Sequence, residues 1–71
     1  MQRIQNQILS LLASGSYSIW HVIDYQDASL PEFFEIIGEM EREGIIRIED
    51  GILSLTEKGK ELAKDKEFHD F

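Results

Sequence analysis

Seventy-one residues amount to one domain, and a composition 42% hydrophobic and 10% aromatic supports one compact core, which excludes a disordered chain. Fourteen acidic against seven basic residues leave a net charge of −7, which disfavours nucleic acid and anionic membrane because both are polyanions. The absence of cysteine removes disulfide and thiolate chemistry, no apolar run approaches a membrane span, and Met1-Gln2-Arg3 lacks the apolar region of a signal peptide, so a cytoplasmic domain is expected.

Ile4, Ile8, Leu11 and Leu12 fall at i, i+4, i+7 and i+8, which predicts an amphipathic helix over Gln2 to Ala13 with Gly15 just past its end. Ser18 is a candidate cap for a second helix from Ile19 to about Gln26, with Trp20, Ile23 and Ile19 expected to face inward. Asp27-Ala28 leaves room only for a turn. Ser29-Leu30-Pro31-Glu32 then reads as a capping box with proline in the first turn, where its missing N–H costs nothing. The third helix is predicted to run to Glu43 and stop at Gly44, burying Leu30, Phe33, Ile36, Ile37 and Met40. Two short helices joined by a tight turn make a helix-turn-helix.

Gly44 to Leu62 is the most informative stretch. Ile46, Ile48, Ile52, Leu53 and Leu55 supply β-branched and apolar positions on either side of Asp50-Gly51, a dipeptide preferred in two-residue hairpin turns. Thr56 stands where the cap of a fourth helix is wanted. Helix, helix, helix, hairpin, helix is the layout of a small α+β winged helix-turn-helix. It is expected over residues 1–63, with residues 64–71 as the end of the C-terminal helix or a linker, because KDKEFHDF loses the apolar period.

These residues carry a family resemblance. Ile19-Trp20, Val22-Ile23-Asp24, Leu30-Pro31, Ile37-Gly38, Glu43-Gly44, Glu49-Asp50-Gly51 and Leu55-Thr56-Glu57-Lys58-Gly59 resemble the N-terminal winged-helix domain of branched-chain polyamine synthases, the bis(aminopropyl)spermidine synthases. The resemblance covers roughly Ile4 to Ala63. The Leu-Thr-Glu-Lys-Gly string recurs in many winged helices, whereas Trp20 to Asp24 with Leu30-Pro31 at that distance is more particular. It implies a larger enzyme whose C-terminal Rossmann-like domain transfers aminopropyl groups from decarboxylated S-adenosylmethionine to spermidine. Nothing in the present sequence matches that catalytic domain, so no catalytic or cofactor-binding residue is carried over.

Function must then be sought on the surface. Glu32, Glu35, Glu39 and Arg42 recur at i, i+3, i+7 and i+10 on the outward side of the third helix, where a DNA-reading helix would favour Arg, Lys, Asn, Gln or Ser. Leu30 to Gly44 holds five glutamates and one arginine. A carboxylate a few ångströms from a phosphate costs roughly 1 kcal/mol even in water, so a few of them cancel most of a non-specific attraction of about 5–8 kcal/mol. At the wing tip, Glu49 and Asp50 offset Arg47. Lys58, Lys60, Lys64 and Lys66 alternate with Glu57, Glu61, Asp65 and Glu67, the pattern of a solvated helix.

Phe33 and Phe34 cannot both face the core centre. Phe33 fits the buried stripe, and Phe34 is either a flank of the core or a half-exposed contact, which Tyr17, Tyr25, Phe68 and Phe71 could join. The candidate interaction face is therefore Glu32, Glu35, Glu39, Arg42 and Phe34. His21 and His69 are too few for a zinc site, and a His21–Asp24 pair would carry no reaction. Ser10, Ser14, Ser16, Ser18, Ser29 and Ser54 read as helix, cap, turn or strand residues rather than nucleophiles. No catalytic, cofactor or metal residues are expected. The chain reads as a non-catalytic interaction domain whose partner is a protein, either its parent catalytic domain or a second copy. The alternative is a winged-helix transcriptional regulator that binds DNA within a larger assembly.

Overall fold

The computed structural model describes residues 3–69. Four helices and a three-stranded antiparallel sheet alternate as α1 (Arg3–Leu12), β1 (Tyr17–Ser18), α2 (Ile19–Tyr25), α3 (Leu30–Arg42), β2 (Ile46–Glu49), β3 (Ile52–Leu55) and α4 (Glu57–His69). No helix among these residues is long and apolar enough to cross a membrane.

The hairpin follows from its turn. Asp50 and Gly51 both take positive φ, 51° and 74°, the pair of left-handed conformations that a two-residue type I′ turn needs and that Asp-Gly adopts at low cost. The turn fixes the register, with Glu49 opposite Ile52 and Ile46 opposite Leu55. The sheet order is β1-β3-β2, because Tyr17 and Ser18 pair with Leu53 and Ile52 on the far side of the hairpin. The two-residue β1 has no hydrophobic period and is invisible in the sequence pattern. It positions α2 directly: the Ile19 amide donates to the Gly51 carbonyl at 2.7 Å, tying the start of α2 to the hairpin turn.

The core is a single cluster. Ile4, Ile8, Leu11 and Leu12 from α1 meet Phe33, Ile37 and Met40 from α3, Val22 from α2, and Ile45, Ile46 and Leu53 at the sheet. Phe33, Ile8, Met40, Ile46, Leu53 and Val22 are fully buried, each contributing roughly 1.5–3 kcal/mol through removal of apolar surface from water. Ile23, Ile36 and Leu55 pack against this cluster while half-buried.

Two expected core residues lie outside. Trp20 is 73% exposed. The inward stripe of α2 is Ile19, Val22, Ile23 and Gln26, at i, i+3, i+4 and i+7, which turns the neighbouring Trp20 to solvent. Leu30 is 51% exposed. It lies in line with Ile37 but two turns nearer the helix N-terminus, where the apolar row of α3 runs out past the packed cluster.

Caps and turns are built from side chains. Ser18 accepts from the His21 amide and Ser29 from the Glu32 amide, and Pro31 occupies the first turn of α3. The reciprocal bond of a capping box, from the Ser29 amide to the Glu32 carboxylate, is not made among the described residues. The α2–α3 turn is held by buried Gln26, whose amide donates to the carbonyls of Ile23 and Ala28 and whose Oε1 accepts from the Ala28 amide at 2.8 Å. Thr56 caps α4 by accepting from the Gly59 amide, and its hydroxyl donates toward the carbonyls of Gly44 and Ile45. Gly59 packs against the same loop so closely that a Cβ there would lie 2.1 Å from the Ile45 carbonyl oxygen. The Leu55-Thr56-Glu57-Lys58-Gly59 string is thereby explained as a lock between the hairpin exit, α4 and the α3–β2 loop.

Candidate functional site

The exposed side of α3 is set by the helical period. With Phe33, Ile37 and Met40 turned inward, Glu32, Glu35, Glu39 and Arg42 are all solvent-exposed along one side. Glu32, Glu35 and Glu39 border a shallow depression together with Arg3, Ile4 and Ile36. Its basic member is engaged elsewhere, since the Arg3 guanidinium donates to the Asp27 carboxylate at 2.7 Å. The glutamate row therefore presents its negative charge to solvent.

Phe34 is half-exposed and stands apart from that row. Two positions on from Glu32, it lies about 160° around the helix, on the same side as Leu30. Its ring meets buried Phe33 edge-on, with centroids 5.4 Å apart, so its inner edge is anchored while its outer face is wet. The five candidate residues thus divide into an acidic side and a separate apolar flank formed by Leu30 and Phe34.

Asp27 lies in the α2–α3 turn, against Arg3 and Gln7 of α1. Hydrogen bonds from Gln7 and then Arg3 hold its carboxyl below the ordinary range. Gln7 also accepts from the Asp27 amide at 3.1 Å, so the pair is reciprocal and ties α1 to the turn. Its role is structural, and it was not legible in the sequence because Gln7 and Arg3 lie twenty and twenty-four positions from Asp27.

His21 is exposed and stacks on Tyr17, with ring centroids 4.7 Å apart, in place of the considered pairing with Asp24. Tyr17 itself is half-buried against the core, and its hydroxyl shares a hydrogen bond with that of Ser14. Tyr25 is half-exposed. The possible contributions of Phe68, His69 and Phe71 fall outside the described side chains. A second open cleft lies between the end of α1, β3 and α4, bordered by Leu12, Ser14, Ser54, Lys60 and Lys64. Among the described residues no group of His, Asp or Glu is arranged to hold a metal ion.

No protein-family profile and no solved structure matches the chain. Most of the chain is similar to part of a curated relative, N(4)-bis(aminopropyl)spermidine synthase of Methanocaldococcus jannaschii, 34% identical over 61 residues. That stretch is 86% of this chain and 17% of the synthase. The similarity supports a relation to that synthase family, through a segment about one-sixth as long as the relative.

Proposed function

We propose that this chain is a winged helix-turn-helix serving as a non-catalytic accessory domain of a polyamine-forming aminopropyltransferase in the cytoplasm, where it docks on the catalytic part. The observation carrying this reading is the 34% identity to a segment of a bis(aminopropyl)spermidine synthase. The helix order and the three-stranded sheet are consistent with a winged helix, α3 taking the place of the recognition helix and the β2–β3 hairpin that of the wing. The acidic side of α3 supports a protein partner over DNA, since Glu32, Glu35 and Glu39 would face phosphates, outnumber Arg42 in their row and make no ion pair among the described residues. Its complement would be a basic surface, with Leu30 and Phe34 as the adjoining apolar anchor.

The test is a deletion and complementation in the Methanocaldococcus jannaschii synthase. Removing the matched segment should leave a catalytic part that retains aminopropyl transfer, and the present chain, added separately, should bind it while showing no transfer alone. Loss of all chemistry on deletion, or no binding in either order of addition, contradicts an accessory docking role. The second reading, a DNA-binding regulator, draws on the helix-turn-helix followed by a hairpin. Sequence-independent duplex binding that weakens steeply with salt would favour it.

A further inference from the structure

β2 lies at the margin of the sheet, with β3 on one side and no strand among the described residues on the other. The phase of its hydrogen bonding follows from the two-residue turn, which makes Glu49 and Ile52 a bonded pair and, by alternation, also Arg47 with Ser54 and Ile45 with Thr56. The Thr56 amide donates to the Ile45 carbonyl at 3.1 Å, as that alternation requires. The amides and carbonyls of Ile46 and Ile48 therefore point away from β3; Ile46 is only 2% exposed and covered by the fold, which leaves Ile48 as the outward position within reach of a second chain. Along this edge Arg47 and Glu49 are exposed on one face of the sheet, and Ile48 is half-buried on the other.

We propose that this edge pairs antiparallel with the same edge of a second copy of the chain, Ile48 against Ile48, joining two sheets into one of six strands. In that register the two outward-facing Ile48 backbones exchange hydrogen bonds, and each Arg47 stands opposite Glu49 of the other copy. Sliding the strands by one bonded pair in either direction sets Arg47 against Arg47 or Glu49 against Glu49. The charge order of this short strand thus selects a single register and penalises its neighbours. The edge carries no proline or bulge that would block such pairing. An edge whose reachable outward backbone is that of Ile48 is small beside the usual stable interface, so the association is weak and reversible. The pairing is independent of any relation to the synthase.

Sedimentation equilibrium of the full chain up to roughly 1 mM tests it. The unmodified protein should show a monomer–dimer equilibrium. Glu49→Arg should weaken it about tenfold or more, although it reduces the net negative charge and would strengthen association if general repulsion governed it. Arg47→Glu should weaken it similarly, and the double variant R47E/E49R should restore it. Amide exchange gives a second readout: the Ile48 amide should slow as concentration rises, while the Arg47 and Glu49 amides, already bonded to β3, should not change. A monomer at every concentration, dimers with Glu49→Arg as tight as the unmodified ones, or failure of the double exchange to restore pairing would overturn the proposal.

Discussion

Gly59 and Gly38 show how the same residue type answers to different constraints. At Gly59 an added methyl would collide with the Ile45 carbonyl, and the neighbour is backbone rather than a yielding side chain. At Gly38, in the middle of α3, the nearest atom to an added Cβ is the mobile end of Arg42 at 3.8 Å. Gly59→Ala is therefore expected to destabilise the fold by about 1–3 kcal/mol or more, and Gly38→Ala to stabilise it by about 0.5–1 kcal/mol. Urea unfolding of the two variants checks both signs. Asp27 adds a pH dependence. Its carboxyl is held below the ordinary value of 3.8, so the folded state prefers the ionised form. The contribution is present above that value and is lost as pH falls through and below it. Asp27→Asn should lower stability at neutral pH, where the carboxylate is ionised, and lose that effect in acid, so that part of the acid limb in a stability–pH series flattens. The Gly59 approach and the Gln7–Asp27 pair were not legible in the sequence, since both depend on contacts between distant segments.

Among the elements, those with strong local signals were readable. The α1 stripe, the Asp50-Gly51 turn, the Ser29 cap and the Thr56 cap all follow from spacing and turn chemistry, and they stand where the pattern places them. In α2, Ile19 and Ile23 pack against the core as expected, but the place of Trp20 did not follow, because seven residues offer too few positions to fix an angle and Trp20 is the largest apolar residue within them. Tertiary packing selected Val22 instead, which is fully buried. β1 was unreadable for a related reason, being two residues whose pairing depends on the hairpin. The corrected phasing has a direct consequence. Ile37→Ala should cost about 2–5 kcal/mol, as for a packed aliphatic side chain, whereas Trp20→Ala should stay within about 0.5 kcal/mol of the unmodified protein. Equal losses at the two positions in thermal or urea unfolding would place α2 in the wrong rotation.

For the whole molecule, charge governs what the fold can approach. The acidic row of α3 was legible from the sequence because it is a periodic pattern on a predicted helix, while the separation of Phe34 from it became clear only when the buried side was fixed by Phe33, Ile37 and Met40. A net charge of −7 also attracts cations over long range, an effect screened within about 10 Å at 0.1 M salt. The same field repels nucleic acid. Titration of random-sequence duplex DNA with the full chain at physiological salt tests whether the acidic side of α3 excludes nucleic acid, with the triple variant E32K/E35K/E39K as comparison. The unmodified protein should bind no tighter than roughly millimolar, and the triple lysine variant clearly more tightly, as phosphate contacts replace repulsion. Micromolar, salt-sensitive binding by the unmodified chain would contradict that exclusion and make α3 a DNA-reading helix.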